Sequence, residues 1–102
     1  MRTLMLVHHR VADFDAWKRV YDDFRENQRR GGVRFHQVLR SRENPNLVVV
    51  THVFDDEQAA RAFAESAELR DAMGRAGVDE ASVSIEYLAE VEAGDLYAAG
   101  VA

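Results

Sequence analysis

Four histidines, His8, His9, His36 and His52, are the residues in this sequence whose type points most directly to chemistry. An imidazole changes charge near neutral pH, so it can take a proton from carbon or oxygen, and it is also a common metal ligand. The chain has no cysteine, which removes a thiolate nucleophile, a thiolate metal site and a disulfide framework. It has no Gly-rich phosphate loop, no Walker lysine and no nucleophile elbow, and no nucleotide or flavin motif. The available chemistry is therefore that of the imidazoles, with Glu86, Arg34 and Arg40 as charged companions.

Whether these groups meet depends on the elements that carry them. Thr3–Arg10 is a short apolar run ending in His8-His9-Arg10 and reads as a strand. Asp13 can cap a helix in which Phe14, Trp17, Tyr21, Phe24 and Gln28 fall on one stripe, with Asp15 at the positive end of the dipole. Gly31-Gly32 ends that helix. Val33–Ser41 alternates as a second strand, with Arg34, His36, Val38 and Arg40 on one side. Glu43-Asn44-Pro45-Asn46 is a turn, and Val-rich Leu47–Phe54 pairs back as a hairpin. Asp55-Asp56 caps a second helix carrying Ala59, Ala60, Phe63 and Ala67, broken near Ser66 and followed by a short helix through Met73. Val83–Val91 is a fourth strand, and residues 94–102 form a small-residue tail to a single domain spanning 1–93.

Strand, helix, strand, strand, helix, strand is the ferredoxin-like βαββαβ order, an α+β fold with a four-stranded antiparallel sheet. Its right-handed crossovers predict strands one and three as parallel neighbours, strand two outside strand three and strand four outside strand one. Both helices cover one face. The other face is predicted to carry Val38, Val48, Val50 and Phe54, with a second copy packed on it to form a dimeric α/β barrel.

His36 and His52 lie about equally far from the hairpin turn, so they should face each other across the two strands. Parity puts His52 on the face of Val48, Val50 and Phe54. His9 is expected to join it, at the same end of the sheet as His52 because strands one and three are read as parallel, sharing that face with Met5 and Val7, and Glu86 on the fourth strand is expected to approach His9. Three readings fit the predicted cluster of His9, His36, His52 and Glu86. It could hold a single divalent metal ion. It could do metal-free acid/base chemistry or bind a ligand, with Arg34, Val48, Val50 and Phe54 lining the site and Arg34 facing an acidic or phenolate group. Or the rings could be ordinary core and rim side chains. Trp17, Tyr21 and Phe24, at helical spacing, read as core.

Composition sets the outer limits. The chain has 102 residues, 47% hydrophobic and 30% charged, as expected of one globular domain. Its net charge of -5 and lack of a basic stripe argue against nucleic acid as a partner. The longest apolar run is four residues, so no membrane span is expected. The N-terminus lacks the pattern of a secretory signal, so the expected location is the cytoplasm.

Several segments resemble small proteins of the dimeric α/β-barrel superfamily described as cyclases or as antibiotic biosynthesis monooxygenase-like. These are His9-Arg10-Val11-Ala12-Asp13-Phe14-Asp15-Ala16-Trp17-Lys18, Gly31-Gly32-Val33-Arg34-Phe35-His36-Gln37-Val38, Asn44-Pro45-Asn46, Ala59-Ala60-Arg61-Ala62-Phe63 and the stretch from Leu69 to Val78. The similarity covers roughly residues 3–91. It implies a ferredoxin-like homodimer with a ligand pocket between sheet and helices. It also implies a small aromatic or polyketide-like ligand, with polyketide cyclisation or cofactor-free oxygenation of anthrone-type substrates among the activities. Oxygenases of the group are associated with Asn, Trp and Arg around the substrate. Here the asparagines are Asn27, Asn44 and Asn46, and Trp17 lies on the helix stripe, so a chemical proposal rests on His52 and His36, with His9 as partner.

Overall fold

The computed structural model describes residues 1–97. The elements are β1 (Thr3–Arg10), α1 (Phe14–Asp23), α2 (Arg25–Arg30), β2 (Phe35–Arg40), β3 (Leu47–Phe54), α3 (Glu57–Ala64), α4 (Ala67–Arg75), a 3-10 turn at Glu80–Ser82, and β4 (Ser84–Ala89). The sheet order β2-β3-β1-β4 is that of a ferredoxin-like α+β fold. Residues 91–97 follow without regular structure, with Val91, Leu96 and Tyr97 exposed. The last part of the tail, 98–102, lies outside the described residues.

Three of the four described helices, α1, α3 and α4, start where the sequence offers a side-chain oxygen to a free backbone N–H. Asp13 accepts from the Ala16 N–H at 3.0 Å, Asp56 from Ala59 at 2.8 Å, and Ser66 from Leu69 at 3.2 Å. The first helix is interrupted at Phe24, so the stripe from Trp17 to Gln28 spans two short helices. Two glycines then turn the chain into β2. A Cβ on Gly31 would lie 2.5 Å from the Phe63 ring, and Gly32 has a φ of +93°, where a side chain is strained.

Two expectations from the sequence are corrected by the sheet. β1 and β3 are antiparallel, with Met5 opposite His52 and His9 opposite Val48. The crossover through α1 and α2 makes β1 and β2 parallel, and the hairpin reverses β3, so the strand between them opposes both. His9 and His52 therefore lie four residues apart along the strands rather than at one end. The second correction concerns the faces. Val48, Val50, His52 and Phe54 point toward the helices, together with Met5, Val7 and His9, and pack with Trp17, Tyr21, Phe24 and Phe63. The open face carries Phe35, Leu39 and Leu88, 56%, 46% and 38% exposed, beside Leu4, Leu6, Val49 and Val53. In β3 both alternating sets are apolar, so alternation fixes which residues share a face but not which face the helices cover.

Candidate active site

A cavity of about 70 Å³ lies between the sheet and the helices. Its floor is Met5, Val7, His9, Val50, His52 and Ile85; its roof includes Trp17, Tyr21, Phe24, Gln28, Leu69 and Met73. The walls are nearly all carbon. Four polar groups break them: the imidazoles of His9 and His52, the Tyr21 hydroxyl and the Gln28 amide.

Aromatic rings join the polar groups into a row. The His9 ring lies 5.6 Å from Trp17, Trp17 stacks on Tyr21 at 5.0 Å, and Tyr21 stacks on His52 at 6.1 Å. Phe63 meets His52 edge-on at 5.5 Å. These contacts fix the planes of both buried imidazoles.

The Tyr21 hydroxyl lies 2.9 Å from His36 Nδ1 and 3.2 Å from His52 Nε2. It can donate only one proton, so it donates to one ring and accepts from the other. His52 Nδ1 and His9 Nδ1 are buried and have no hydrogen-bond partner among the described residues, and the same holds for Gln28 Oε1. Buried polar atoms are seldom left unpaired, so these atoms suit a ligand or a proton entering the cavity.

The electrostatics follow from the dry walls. Burial holds the His52 imidazole down at about 4, with the neighbouring His36 and Arg25 acting in the same direction. Burial likewise holds His9 at about 4, partly opposed by its interaction with the Val7 backbone. Both rings are neutral at pH 7 and can accept a proton. Burial pushes the Tyr21 hydroxyl up to about 12, so it stays protonated. His36 is half-buried on β2, outside the cavity lining, and is also lowered, first by burial and then by Arg25 and Lys18, with Asp22 opposing.

The structure brings together most, but not all, of the residues singled out in the sequence. His36 stands directly opposite His52, as the hairpin spacing predicts, and Tyr21 joins them. His9, not His8, points into the core; His8 is exposed. Val50 lines the cavity, while Val48 and Phe54 are fully buried in the core around it. Glu86 does not approach His9. It pairs with Leu6 on the open face, because Ile85 takes the apolar position opposite Val7. Arg34 is also outside the site. Its guanidinium makes two contacts with Asp55 at the surface, at 2.9 and 3.3 Å. Arg40 covers the Phe14 ring at 4.0 Å. The expected metal set is thus not assembled, and among the described residues no group of three or more His, Asp or Glu side chains is close enough to hold a metal ion.

Tyr21, Trp17 and Gln28 line the cavity, which helical spacing does not reveal, since the two aromatics have the pattern of core. Gln28 does carry a signal. An amide on an otherwise apolar helical stripe must find a partner or face a ligand, and Gln28 is 2% exposed.

The fold and site are those of an α+β protein of ferredoxin-like topology, with an apolar cavity between sheet and helices and neutral imidazoles in its wall. The particular family is given by its sequence. Residues 12–75 match the family model described as antibiotic biosynthesis monooxygenase, and the chain belongs to that family. No curated protein sequence matches it. Among solved structures it is similar to SnoaB of Streptomyces nogalater, described as a cofactor-independent oxygenase. The identity is 17%, the TM-score 0.68, and the match covers 95% of this chain and 98% of that one. It is also similar to a Mycobacterium tuberculosis protein at 14% identity and TM-score 0.69, covering 93% and 100%. A third is a Jannaschia protein described as dimeric and ferredoxin-like, at 14% identity and TM-score 0.69, covering 88% and 100%. At these identities the structural matches establish the fold. Among the described residues no helix is long and apolar enough to cross a membrane.

Proposed function

We propose that this protein is a small oxygenase that works without a bound cofactor on a flat phenolic or polyketide-like molecule, with His52 as the general base. The observation that carries this reading is the buried His52 Nδ1, which has no hydrogen-bond partner among the described residues and sits on a ring lining an apolar cavity. The family assignment and the description of SnoaB support the reaction class.

The reaction needs no external reductant. His52 removes a proton from an acidic CH₂ flanked by aromatic rings. The carbanion adds O₂ to form a C–O bond, and the peroxide takes the proton back. Loss of water from the resulting CH–OOH leaves a ketone. One CH₂ and one O₂ give one C=O and one H₂O, so the substrate supplies all four electrons. The apolar walls keep water away from the carbanion and strengthen the hydrogen bonds around it. His9, at the far end of the ring row, is placed to meet a second polar group of the ligand. The cavity is smaller than the roughly 300–1,000 Å³ of sites for drug-sized ligands, so Leu69 and Met73 of α4 must move aside for a multi-ring substrate.

The same carbanion closing a ring on a neighbouring carbonyl is the cyclase outcome, and a ligand bound but never turned over is the binding-module outcome. Oxygen uptake separates them. Stoichiometric O₂ consumption with a three-ring CH₂ phenol, abolished in His52→Gln, is the expected result. Product without O₂ uptake identifies a cyclase; tight binding with no product removes catalysis. A second copy on the open face, giving a homodimer, is part of the reading. It is supported by the exposed Phe35, Leu39 and Leu88 and by the dimeric description of the Jannaschia protein. Sedimentation of a monomer at micromolar concentration would remove it.

A further inference from the structure

We propose that Tyr21 and His36 form the route by which the proton taken by His52 leaves the cavity for solvent. This rests on His52 as the base, and it assigns Tyr21 and His36 roles of their own.

A base inside a dry, apolar cavity has a difficulty. Once protonated it is a cation with nothing to solvate it. His52 is 4% exposed, Phe63 meets its ring edge-on, and among the described residues the Tyr21 hydroxyl is the polar group within hydrogen-bond distance of it. The Tyr21 hydroxyl sits between His52 Nε2 and His36 Nδ1, and His36 is half-exposed. The three groups thus run from the cavity to the surface without a gap.

Distance sets the direction. The bond to His36 is the shorter, 2.9 Å against 3.2 Å. We assign the Tyr21 proton to it, so the hydroxyl donates to His36 Nδ1 and accepts from His52 Nε2–H. His52 Nδ1 then carries the lone pair, and this is the buried atom left without a partner.

The proton balance closes. The substrate proton bonds to His52 Nδ1 as the Nε2–H proton moves to the Tyr21 oxygen. The Tyr21 proton moves to His36 Nδ1. His52 and Tyr21 end neutral, and the positive charge appears on His36 at the protein edge, whose Nε2–H can pass to water. Tyrosinate is never formed, consistent with a hydroxyl whose burial disfavours ionisation. The groups facing His36 are Lys18 and Asp22 on α1 and Arg25 on α2. The two cations repel an imidazolium and favour release. The chain runs backward when the peroxide is protonated, which restores the starting tautomers.

Nitrogen-15 NMR of the histidine rings tests the hydrogen-bonded chain without any substrate. Above pH 7, both His52 and His36 are expected as Nε2–H tautomers, and on acidification the first added proton should appear on His36. In Tyr21→Phe, which keeps the ring stack, His52 should lose its tautomer preference. His52 found as the Nδ1–H tautomer overturns the proposal. In turnover, His36→Ala should lower kcat by about tenfold, a fraction of the roughly 10²–10⁴ contributed by general acid–base catalysis. Free imidazole should restore it, and should fail to do so in the Tyr21→Phe/His36→Ala double variant. A His36→Ala enzyme with unchanged kcat and pH profile also overturns the relay. The tautomer result stands whether or not any phenol is oxidised, so failure of the relay and failure of the oxygenase reading are distinguishable.

Discussion

The two faces of this sheet are built from the same strands and nearly the same apolar residues, yet they have different fates. On the face toward the helices, Met5, Val48 and Phe54 are fully buried, and His9 and His52 are buried with them. On the other face, Phe35, Leu39 and Leu88 remain exposed and Glu86 stands at the surface. An imidazole on the first face is stripped of water and held neutral. A carboxylate on the second lies outside the cavity. One residue of parity thus separates a group that can act as a base in a dry cavity from one that cannot, which is why Glu86 does not join the histidines.

The sharpest test of that contrast is activity. His52→Gln is expected to cost about 10²–10⁴ in kcat, the range for loss of a general base, whereas Glu86→Gln on the open face should stay within about twofold. Equal losses in the two variants would break the comparison. Stability gives the next largest difference. Phe54→Ala removes a fully buried ring and should cost about 3–5 kcal/mol in urea unfolding. A polar replacement at exposed Phe35 should leave the unfolding free energy of a single subunit nearly unchanged.

Acid titration sharpens the electrostatic half of the contrast. His9 and His52 are held at about 4 in the folded chain against 6.5 for the free side chain. Below pH 6.5 the unfolded chain takes up protons that the folded chain refuses. The contribution of both groups is complete above that pH and is lost as pH falls toward 4. It amounts to roughly 3 kcal/mol for each ring, because each tenfold change in proton affinity is worth about 1.4 kcal/mol. Melting followed from pH 7 to pH 4 should be steeper for the wild type than for His9→Gln; identical slopes would show that His9 is not buried as a neutral ring. The smallest effect belongs to the surface. Arg34→Ala breaks an exposed pair with Asp55 and should change neither melting temperature nor KM. A raised KM would return Arg34 to the site.

How far the sequence can be read differs from element to element. The hairpin is legible because Asn44-Pro45-Asn46 fixes a centre, and counting outward from it pairs His36 with His52. The caps at Asp13 and Asp56 are legible because each stands just before an apolar stripe, whereas Ser66 reads only as a break and the structure makes it the cap of α4. The direction of β1 against β3 carries no local mark, and the expectation that His9 and His52 share one end of the sheet fails with it. The cavity is less legible still. Trp17 and Tyr21 have the spacing of ordinary core residues, and nothing local marks a core residue that also borders empty space. The polar tip of Tyr21 acquires its role only when two strands bring histidines to it.

The sequence by itself determined the order of the elements, their caps and turns, the pairing of His36 with His52 and the parity that sets His9 with Met5 and Val7. These are local properties of period and turn chemistry, fixed within a few residues. The tertiary structure alone decided which face of the sheet the helices cover, that Glu86 and Arg34 stand outside the site, and that Tyr21 links the two histidines. The reason is that both faces of β3 are apolar, so local pattern is satisfied either way. The choice is made by packing, when the rings of Trp17, Tyr21, Phe24 and Phe63 close over one face and leave the other open.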